Sequence, residues 1–215
     1  SILNNKISVG IDGKKLFSFK SLKLHQSINN HHRFELLLDL EAGGNRYAHN
    51  LKDSAKWIGK SFAVYAGEKS ETTFMGVVTG VSLHRKNSDF GHILVSGYSE
   101  TYRLETDLNF NSWTGCTLAD IIKEMTSKAG VSARINPEYT EKLDYVCQYN
   151  ESDFDFIRRL AWKYKEWLYY DGTRLVFGKP ELPDAVGLEF ERNLISFETG
   201  VQTLARPAKV FSYVS

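Results

Sequence analysis

The segment QYNESDFDFIRRL (residues 148–160) carries the strongest structural signal in the sequence. Ser152 and Asp155 have the spacing of a helix-capping pattern, in which polar side chains satisfy the free N–H groups of the first turn. Behind the cap, apolar residues recur at helical spacing: Phe154, Ile157, Leu160, Ala161 and Tyr164. The segment therefore predicts a helix from about Ser152 to about Lys165 that buries one face.

A second helix is predicted upstream of this segment. Thr117 and Asp120 form a variant of the capping box, and Gly130 provides a stop. Between them the apolar residues again follow helical spacing: Leu118, Ile121, Ile122, Met125 and Ala129. The middle of the chain therefore contains at least two helices that each pack by one face.

A hairpin is predicted after residue 165, because Trp167–Tyr170 and Arg174–Phe177 flank the turn pair Asp171-Gly172. Pro180 and Pro183 then interrupt the pattern. Strand-like stretches resume and run to the end of the sequence: Leu188–Glu191, Ile195–Thr199 and Ala208–Val214. A last strand without a following partner would leave an unpaired edge, so we expect a second β unit whose remainder lies beyond this sequence.

The first hundred residues predict β structure. Asp12-Gly13 supplies the positive dihedrals of a tight hairpin turn after a strand at Lys6–Asp12. Further short runs are bounded by turn residues: Phe17–Ser27, Phe34–Leu40, Ser61–Tyr65, Thr72–Leu83 and His92–Tyr98. Many short strands with short connections indicate a sandwich or a barrel.

Two features favour the barrel. Phe34–Leu38 is apolar at nearly every position, so we expect both faces of that strand to be covered, as in a closed or partly closed barrel. Gly76 and Gly80 interrupt one long strand, and glycine at such positions often marks a bulge or a bend.

Composition excludes several function classes. The chain has 27 Lys and Arg against 26 Asp and Glu, so no strong positive field attracts nucleic acid or anionic lipid. No apolar run reaches the roughly 18 residues of a membrane span, and residues 1–20 lack a signal-peptide pattern. Cys116 and Cys147 are too few for a disulfide scaffold and are expected to be reduced thiols.

A search for catalytic and metal-binding patterns finds none of the common ones: GxxxxGK[ST], GxGxxG, HExxH and GxSxG. The adjacent His31 and His32 are read as a solvated loop tip and not as a metal pair. The other histidines have no Asp, Glu or Cys at ligand spacing and are expected at the surface or on a sheet face: His25, His49, His84 and His92. We expect no enzyme activity, no metal and no cofactor.

Two alternatives stay open around the helix predicted from Ser152 to Lys165. Glu151, Asp153 and Asp155 could divide acid and base work as a hydrolase pair, although acids at a helix start are explained by the helix dipole and by capping. The aromatic residues could form a platform for a sugar, although this spacing is more typical of a core: Phe154, Phe156, Trp162, Tyr164, Trp167, Tyr169 and Tyr170.

Residues 148–160 resemble the QYxESDxxFxxRL signature of VgrG-type spike proteins, which belong with phage baseplate-hub and late control D proteins. The residues that carry it are Gln148, Tyr149, Glu151, Ser152, Asp153, Phe154, Phe156, Arg159 and Leu160. The following WLYYDG (167–172) resembles the family's aromatic hairpin. Upstream, WIGK (57–60) with Gly59 and FMGVV (74–78) with Gly76 resemble a pair that lies on barrel strands. The family has a Leu-Leu pair near Tyr102–Glu105 and a Gly at Glu166, and this chain departs from both.

The resemblance implies a mainly β fold with an α+β insert. Residues 1–105 would form the first hub barrel, 106–182 a helical and hairpin insert, and 183–215 the opening strands of a second barrel. It implies a structural hub at the base of a type VI secretion spike that adapts a hexameric tube to a trimeric spike. A phage or tailocin baseplate hub is the alternative.

The resemblance also implies partners and a location. The full-length protein would form a homotrimer and contact a hexameric, Hcp-like tube protein and spike-tip or effector proteins. It would assemble in the cytoplasm and be exported by its own apparatus without a signal peptide.

Overall fold

The computed structural model describes residues 7–16, 18–39, 51–84 and 91–180, and the backbone of 195–200. Its first part is almost all strand, as predicted. The strands are β1 (Ser8–Ile11), β2 (Lys14–Lys15), β3 (Ser21–Ser27), β4 (Arg33–Asp39), β5 (Ser61–Ala66), β6 (Glu71–His84) and β7 (His92–Ser99). A short helix α1 (Leu51–Ser54) and a 3-10 turn (Ala55–Trp57) precede β5.

The second part alternates strands and helices. After a 3-10 segment (Glu100–Glu105) come β8 (Asn109–Trp113), α2 (Leu118–Ala129), β9 (Ala133–Asn136), β10 (Val146–Glu151), α3 (Asp153–Tyr164), β11 (Leu168–Tyr170) and β12 (Leu175–Gly178). Both predicted helices are confirmed with their caps: Thr117 and Asp120 close a capping box, and Gly130 ends α2 at a φ of 69°. No helix among the described residues is long and apolar enough to cross a membrane.

The strands of the first part form one sheet in the order β13-β3-β4-β7-β6-β5-β1-β2, where β13 is Ile195–Gly200. Neighbours are antiparallel except β13, which runs parallel to β3. The predicted turn at Asp12-Gly13 joins β1 and β2, with φ values of 53° and 74°. This is the positive-φ geometry of a two-residue hairpin loop.

The sheet is strongly curved. Phe34 on β4 and Phe62 on β5 lie three strands apart, which is roughly 14 Å in a flat sheet. Their rings nevertheless stack with centroids 3.8 Å apart. Each ring lies beside a glycine on the adjacent strand, since Phe34 pairs with Gly97 and Phe62 pairs with Gly76. Because Gly97 and Gly76 have no side chains, the concave side of the sheet has room for the two rings.

One expectation about the sheet is confirmed and one is wrong. The register of β6 against β7 shifts between Val78 and Gly80, which is the predicted bulge in the long strand. On β4, however, only one face is fully covered. Phe34, Leu36 and Leu38 are buried while Glu35 and Leu37 are partly exposed, because no second layer among the described residues closes over that outer face.

The insert contributes two further small sheets. β8 and β10 form an antiparallel two-stranded ribbon, and β11, β12 and β9 form a three-stranded sheet in that order. The buried apolar residues of the curved sheet, of both long helices and of the β11–β12 hairpin belong to one continuous cluster. Sheet and insert are therefore stabilised by the same core.

The predicted second barrel remains a prediction. The backbone of Ile195–Gly200 is a strand, as expected, and pairs with β3. The other two strand-like stretches, Leu188–Glu191 and Ala208–Val214, lie outside the described residues. The proposed boundaries at 105 and 182 likewise stay predictions.

Candidate functional site

The passage from β10 into α3 turns sharply at a bulge. Asn150 has a φ of 46°, and the register with β8 shifts between Tyr149 and Glu151. Asparagine tolerates this left-handed conformation better than most residues. Ser152 then caps α3, because its Oγ accepts a hydrogen bond from the Asp155 N–H at 3.1 Å.

A polar network fixes the start of α3 to the ribbon. Asp153 Oδ1 accepts hydrogen bonds from Gln148 Nε2 at 2.8 Å and from Asn109 Nδ2 at 2.9 Å. Gln148 Oε1 in turn accepts from Asn111 Nδ2 at 2.8 Å. Gln148 is buried, so its amide depends on these partners. The network joins both ribbon strands to the helix.

Arg159 ties the next turn of α3 back to β10. Its Nη2 donates to Glu151 Oε1 at 2.6 Å and to the carbonyl oxygen of Cys147 at 2.8 Å. The guanidinium lies 5.0 Å from the ring centroid of Phe156. One side chain thus combines an ion pair, a backbone hydrogen bond and a cation–π contact.

Ser152 caps α3 as expected, with the Asp155 N–H as the donor, but the expected capping by the Glu151 and Asp155 carboxylates is wrong. Glu151 pairs with Arg159, and the Asp155 carboxylate lies 3.5 Å from Arg158. Asp153 faces the amides of the ribbon. Each of the three acids therefore has its own structural partner within the fold.

The apolar side of α3 faces the core. Phe154, Phe156, Ile157, Leu160 and Ala161 are buried, so the expected stripe is confirmed there, with Phe156 added. Among the aromatic residues considered as a sugar platform, Trp162 is half exposed while Tyr170 is buried. The rings of this region therefore serve mainly as core.

His31 connects the sheet to the insert, and the prediction of a solvated loop tip is wrong. Its Nδ1 lies 2.7 Å from Thr101 Oγ1, its Nε2 lies 2.9 Å from Glu105 Oε1, and its ring packs 3.9 Å from the ring of Phe154 on α3. Burial lowers the pKa of His31, although the hydrogen bond to Glu105 opposes this. In the folded chain, the insert covers His31 in the turn between β3 and β4.

His32 is buried at the same junction. The backbone N–H of His32 donates to Ser99 Oγ at 3.0 Å, and the His32 ring meets Tyr170 edge-on at 5.5 Å. Burial lowers the pKa of His32 to about 4, although a hydrogen bond to the Ser27 backbone and the charge of Asp171 oppose this shift. The neutral ring is thus part of the contact between sheet and insert.

We expect this histidine to make the protein less stable in acid. Because the pKa of His32 falls from 6.5 unfolded to about 4 folded, the unfolded chain binds more protons between these values. The contribution of the neutral His32 ring to the free energy of unfolding is present above pH 6.5 and is lost as the pH falls towards 4. Between pH 7 and pH 5 the loss is about 2 kcal/mol. Urea unfolding at both pH values measures it.

His32→Gln is the control for this prediction, since the amide can still donate to the Ser27 carbonyl but does not titrate. Wild type and variant should converge in stability as the pH falls, while His31 and the carboxylates titrate in both. Parallel pH profiles for the two proteins would contradict the assignment.

The β11–β12 hairpin also contacts the sheet. The Tyr170 hydroxyl donates to the carbonyl oxygen of Met75 at 3.1 Å, and the Met75 N–H donates to the carbonyl oxygen of Gly172 at 2.8 Å. Burial raises the pKa of Tyr170. A side chain at Gly172 would collide with the Thr73 carbonyl, so this turn fits closely against β6.

We call residues 148–177 the brace. This segment runs from β10 of the ribbon through α3 to the β11–β12 hairpin, and so it joins the ribbon to the sheet.

Gly59 in WIGK (57–60) and Gly76 in FMGVV (74–78) have different structural roles. Gly59 has a φ of 83°, and its N–H donates to the carbonyl oxygen of Val78 at 2.8 Å. Gly76 lies where a Cβ would come within 2.5 Å of the Tyr98 carbonyl oxygen. Both positions require glycine for geometric reasons, one for its dihedral and one for its lack of a side chain.

Glu166 is a buried acid that sequence reasoning did not assign. Its carboxylate accepts hydrogen bonds from the backbone N–H groups of Glu138 at 3.0 Å and Tyr139 at 2.8 Å. Glu138 and Tyr139 are 28 and 27 residues earlier in the chain, so no local sequence pattern predicts these hydrogen bonds. The one sequence signal was the departure from glycine at this position.

We expect Glu166→Gln to destabilise the protein by about 1 to 3 kcal/mol. The amide keeps one oxygen acceptor but points an NH2 group at the second backbone N–H. Thermal unfolding followed by circular dichroism measures the loss. Glu141→Gln, at an exposed position, is the matched control and should change stability by less than about 0.5 kcal/mol. Equal effects would contradict the role given to Glu166.

A half-open groove of about 310 Å³ runs beside α3. Its lining includes side chains of both charge signs and one indole: Asn29, Asp155, Arg158, Arg159, Ala161, Trp162 and Glu166.

Within the described ranges, no group of three or more His, Cys, Asp or Glu side chains is placed to hold a metal ion. Across strands, His25 does lie 3.5 Å from Glu35, a contact that local spacing does not reveal.

A family model for the phage tail baseplate hub (GPD) matches residues 27–179, which include sheet strands β4 to β7, the ribbon, both long helices and the brace. The chain belongs to this family. The comparison with curated proteins returns no significant match.

Solved structures show the same fold at low sequence identity. The 43 kDa tail protein of prophage MuSo2 from Shewanella oneidensis has a TM-score of 0.67 and 18% identity, with 82% of this chain and 54% of that chain covered. A tail protein from Neisseria meningitidis has a TM-score of 0.60 and 14% identity, with 81% and 50% covered. This baseplate hub chain thus spans about half the length of these two structures.

A third structure comes from a secretion system. The E. coli c3393 protein, described as a type VI secretion component similar to the T4 tail proteins gp27 and gp5, has a TM-score of 0.53 and 15% identity. The match covers 82% of this chain and 47% of that chain. Together these structures support the mainly β, tail-hub-like fold.

Proposed function

We propose that the chain is part of the structural hub of a contractile injection apparatus, where three copies form a ring between a hexameric tube and a trimeric spike. The carrying observation is the brace: its acids, amides and aromatic rings are used to join sheet, ribbon and helix. A ring that transmits the force of contraction needs such rigid connections. Its subunit contacts should be of the obligate kind, about 2,000 Å² or more each in the whole hub.

We infer that the role is structural and not catalytic. Glu151, Asp153 and Asp155 each stabilise a different contact, which supports this view. Asp153→Asn should therefore lower the melting temperature, because the Oδ1 atom that accepts both amide hydrogen bonds would lose its negative charge, which also stabilises the N-terminus of α3. A hydrolase would instead lose a defined activity at unchanged melting temperature.

The biological setting has two candidates. The signature at residues 148–160 favours a type VI secretion spike base, with a Hcp-like tube protein and spike-tip or effector proteins as partners. The baseplate hub family favours a phage or tailocin tail. In either setting the hub assembles in the cytoplasm. In the secretion setting it leaves through its own apparatus without a signal peptide.

Localising a small tag on the chain within purified particles by electron microscopy tests the hub proposal. We expect density in one ring at the junction of tube and spike. A chain absent from intact particles, or distributed along the tube, would refute it. Binding assays with a purified Hcp-like hexamer and with a phage tail-tube protein then separate the two settings.

A further inference from the structure

His31 lies where the sheet meets the insert. We call this region the joint, and it comprises the β3–β4 turn (28–32) and the segment at the end of β7 (99–105). The His31 side chain is only 8% exposed. Its ring packs against the ring of Phe154 on α3. A change at His31 therefore acts on the sheet and on the insert together.

Backbone hydrogen bonds hold the turn of the joint in place. The Ser99 N–H donates to the carbonyl oxygen of His32 at 2.8 Å, which fixes the turn to the end of β7. The Asn29 N–H donates to the carbonyl oxygen of Leu168 at 3.2 Å, which fixes the turn to β11 of the insert. These two amides report whether the joint is closed.

Four side chains of the joint form a continuous hydrogen-bonded chain. Glu105 Oε1 lies 2.9 Å from His31 Nε2, and His31 Nδ1 lies 2.7 Å from Thr101 Oγ1. Thr101 Oγ1 lies 2.7 Å from Ser99 Oγ, which also accepts a hydrogen bond from the His32 backbone N–H. Ser99 is 0% and Thr101 is 1% exposed, so the two hydroxyls depend on protein partners.

The chain has one direction when the His31 ring is neutral. A carboxylate can only accept hydrogen bonds, so Nε2 carries the ring proton and donates to Glu105. Nδ1 is then an acceptor, and the Thr101 hydroxyl donates to it. Because that hydroxyl has used its hydrogen, the Ser99 hydroxyl donates to Thr101 Oγ1. Every donor of the chain then has an acceptor.

Protonation of His31 reverses the two hydroxyls. The charged ring has a hydrogen on both nitrogens, so Nδ1 must donate to Thr101 Oγ1. The Thr101 hydroxyl then turns to Ser99 Oγ. The Ser99 hydroxyl loses Thr101, which is the acceptor found for it among the described residues. A buried donor without an acceptor costs free energy, so the closed joint disfavours the protonated ring.

The charges around the ring leave this preference in place. Burial lowers the pKa of His31 and is the largest effect; Arg158 acts in the same direction, while Glu105 and Asp155 oppose it. Because the pKa is lower in the closed joint than the ordinary 6.5, the opened joint takes up the proton more readily. The stabilisation by neutral His31 is present above pH 6.5 and is lost as the pH falls. The other titratable side chains close to this ring are His32, Tyr98 and Tyr102.

We propose that His31 is a pH-sensitive switch in the joint: its neutral ring closes the hydrogen-bonded chain from Ser99 to Glu105, and its protonation releases the turn from the insert. This inference goes beyond the proposed hub function and does not depend on it. It is also separate from the effect expected of the His32 ring, because His32 takes part in the chain only through its backbone N–H.

Hydrogen exchange of backbone amides at pH 7 and pH 5, followed by NMR and corrected for the intrinsic exchange rate, tests the proposal. Two proteins are compared: His32→Gln, and the double variant His31→Gln, His32→Gln. They differ only at His31, where glutamine can still donate to Glu105 and accept from Thr101 without titrating. In His32→Gln, the protection of the Asn29 and Ser99 amides should fall about 10-fold between the two pH values. In the double variant it should not fall in this way.

Reference amides separate opening of the joint from unfolding of the whole chain. The Val131 N–H donates to the Thr126 carbonyl oxygen at 2.9 Å, and the Leu143 N–H donates to the Cys116 carbonyl oxygen at 2.8 Å. Both bonds lie within the insert and outside the joint. Their protection should change less than that of Asn29 and Ser99.

Nitrogen NMR of the wild-type histidine rings at pH 7 gives a second test that needs no variant. We expect the proton of the His31 ring on Nε2. A proton on Nδ1 would overturn the proposal, since the chain would then run in the other direction. Equal pH dependence of the Asn29 and Ser99 amides in the two variants would also overturn it. An equal loss at Val131 and Leu143 would mean that His31 acts on the whole fold and not on the joint.

Discussion

Leu160→Asp is expected to unfold the protein. Leu160 lies on the core side of α3 and is 1% exposed, among the residues that join the helix to the rest of the core. An aspartate there either buries an unpaired carboxylate or pulls the helix out of the core. Either costs several kcal/mol against a total stability of about 5 to 15 kcal/mol. Circular dichroism and the soluble yield measure the outcome.

Lys163→Asp is the matched control. It places the same side chain three residues further along α3, at an exposed position. Its cost is about 1 kcal/mol, from helix propensity and from an acid near the helix C-terminus. If the Leu160→Asp protein were soluble and melted like this control, α3 would not pack as described.

Gly97→Ala is expected to destabilise the curved sheet by about 3 kcal/mol, the upper end of overpacking costs. A Cβ at this position would collide with the Val77 carbonyl oxygen and come within 2.7 Å of the Phe34 ring. The carbonyl belongs to the β6–β7 pairing and cannot rotate away. The Phe34 ring is itself held against Phe62. Urea unfolding gives the loss of free energy.

Gly80→Ala separates this clash from the general effect of losing a glycine. Gly80 lies on the adjacent strand β6, and its Cβ would meet only the Ser96 Oγ at 3.0 Å, a hydroxyl that can rotate. We expect a change of less than about 1 kcal/mol. Similar losses for the two variants would mean that Phe34 does not occupy the space above Gly97.

Sequence reasoning succeeded where the signal was local. The caps at Thr117 and Ser152 and the stop at Gly130 fixed the helix ends, because capping hydrogen bonds join residues a few positions apart. The Asp12-Gly13 turn was predictable for the same reason, since its dihedrals favour glycine and aspartate. Strand alternation and bulge glycines indicated a bent sheet.

The candidate site was only partly predictable. The signature at residues 148–160 identified the right segment and the right helix, but it assigned Glu151 and Asp155 to the cap instead of to Arg159 and Arg158. A capping pattern and an ion pair use the same residue types at similar spacing. The choice between them depends on side-chain directions that the bulge at Asn150 sets.

The sequence by itself determined the helices, most of the strands and the resemblance that points to a tail hub, because each depends on neighbours along the chain. Only the tertiary structure decided that His31 and His32 are buried beside Phe154 and Tyr170. It also decided that Glu166 holds a distant turn and that Phe110 and Tyr149 face solvent. Each of these depends on groups at least 27 residues apart, which chain folding alone brings together or leaves uncovered.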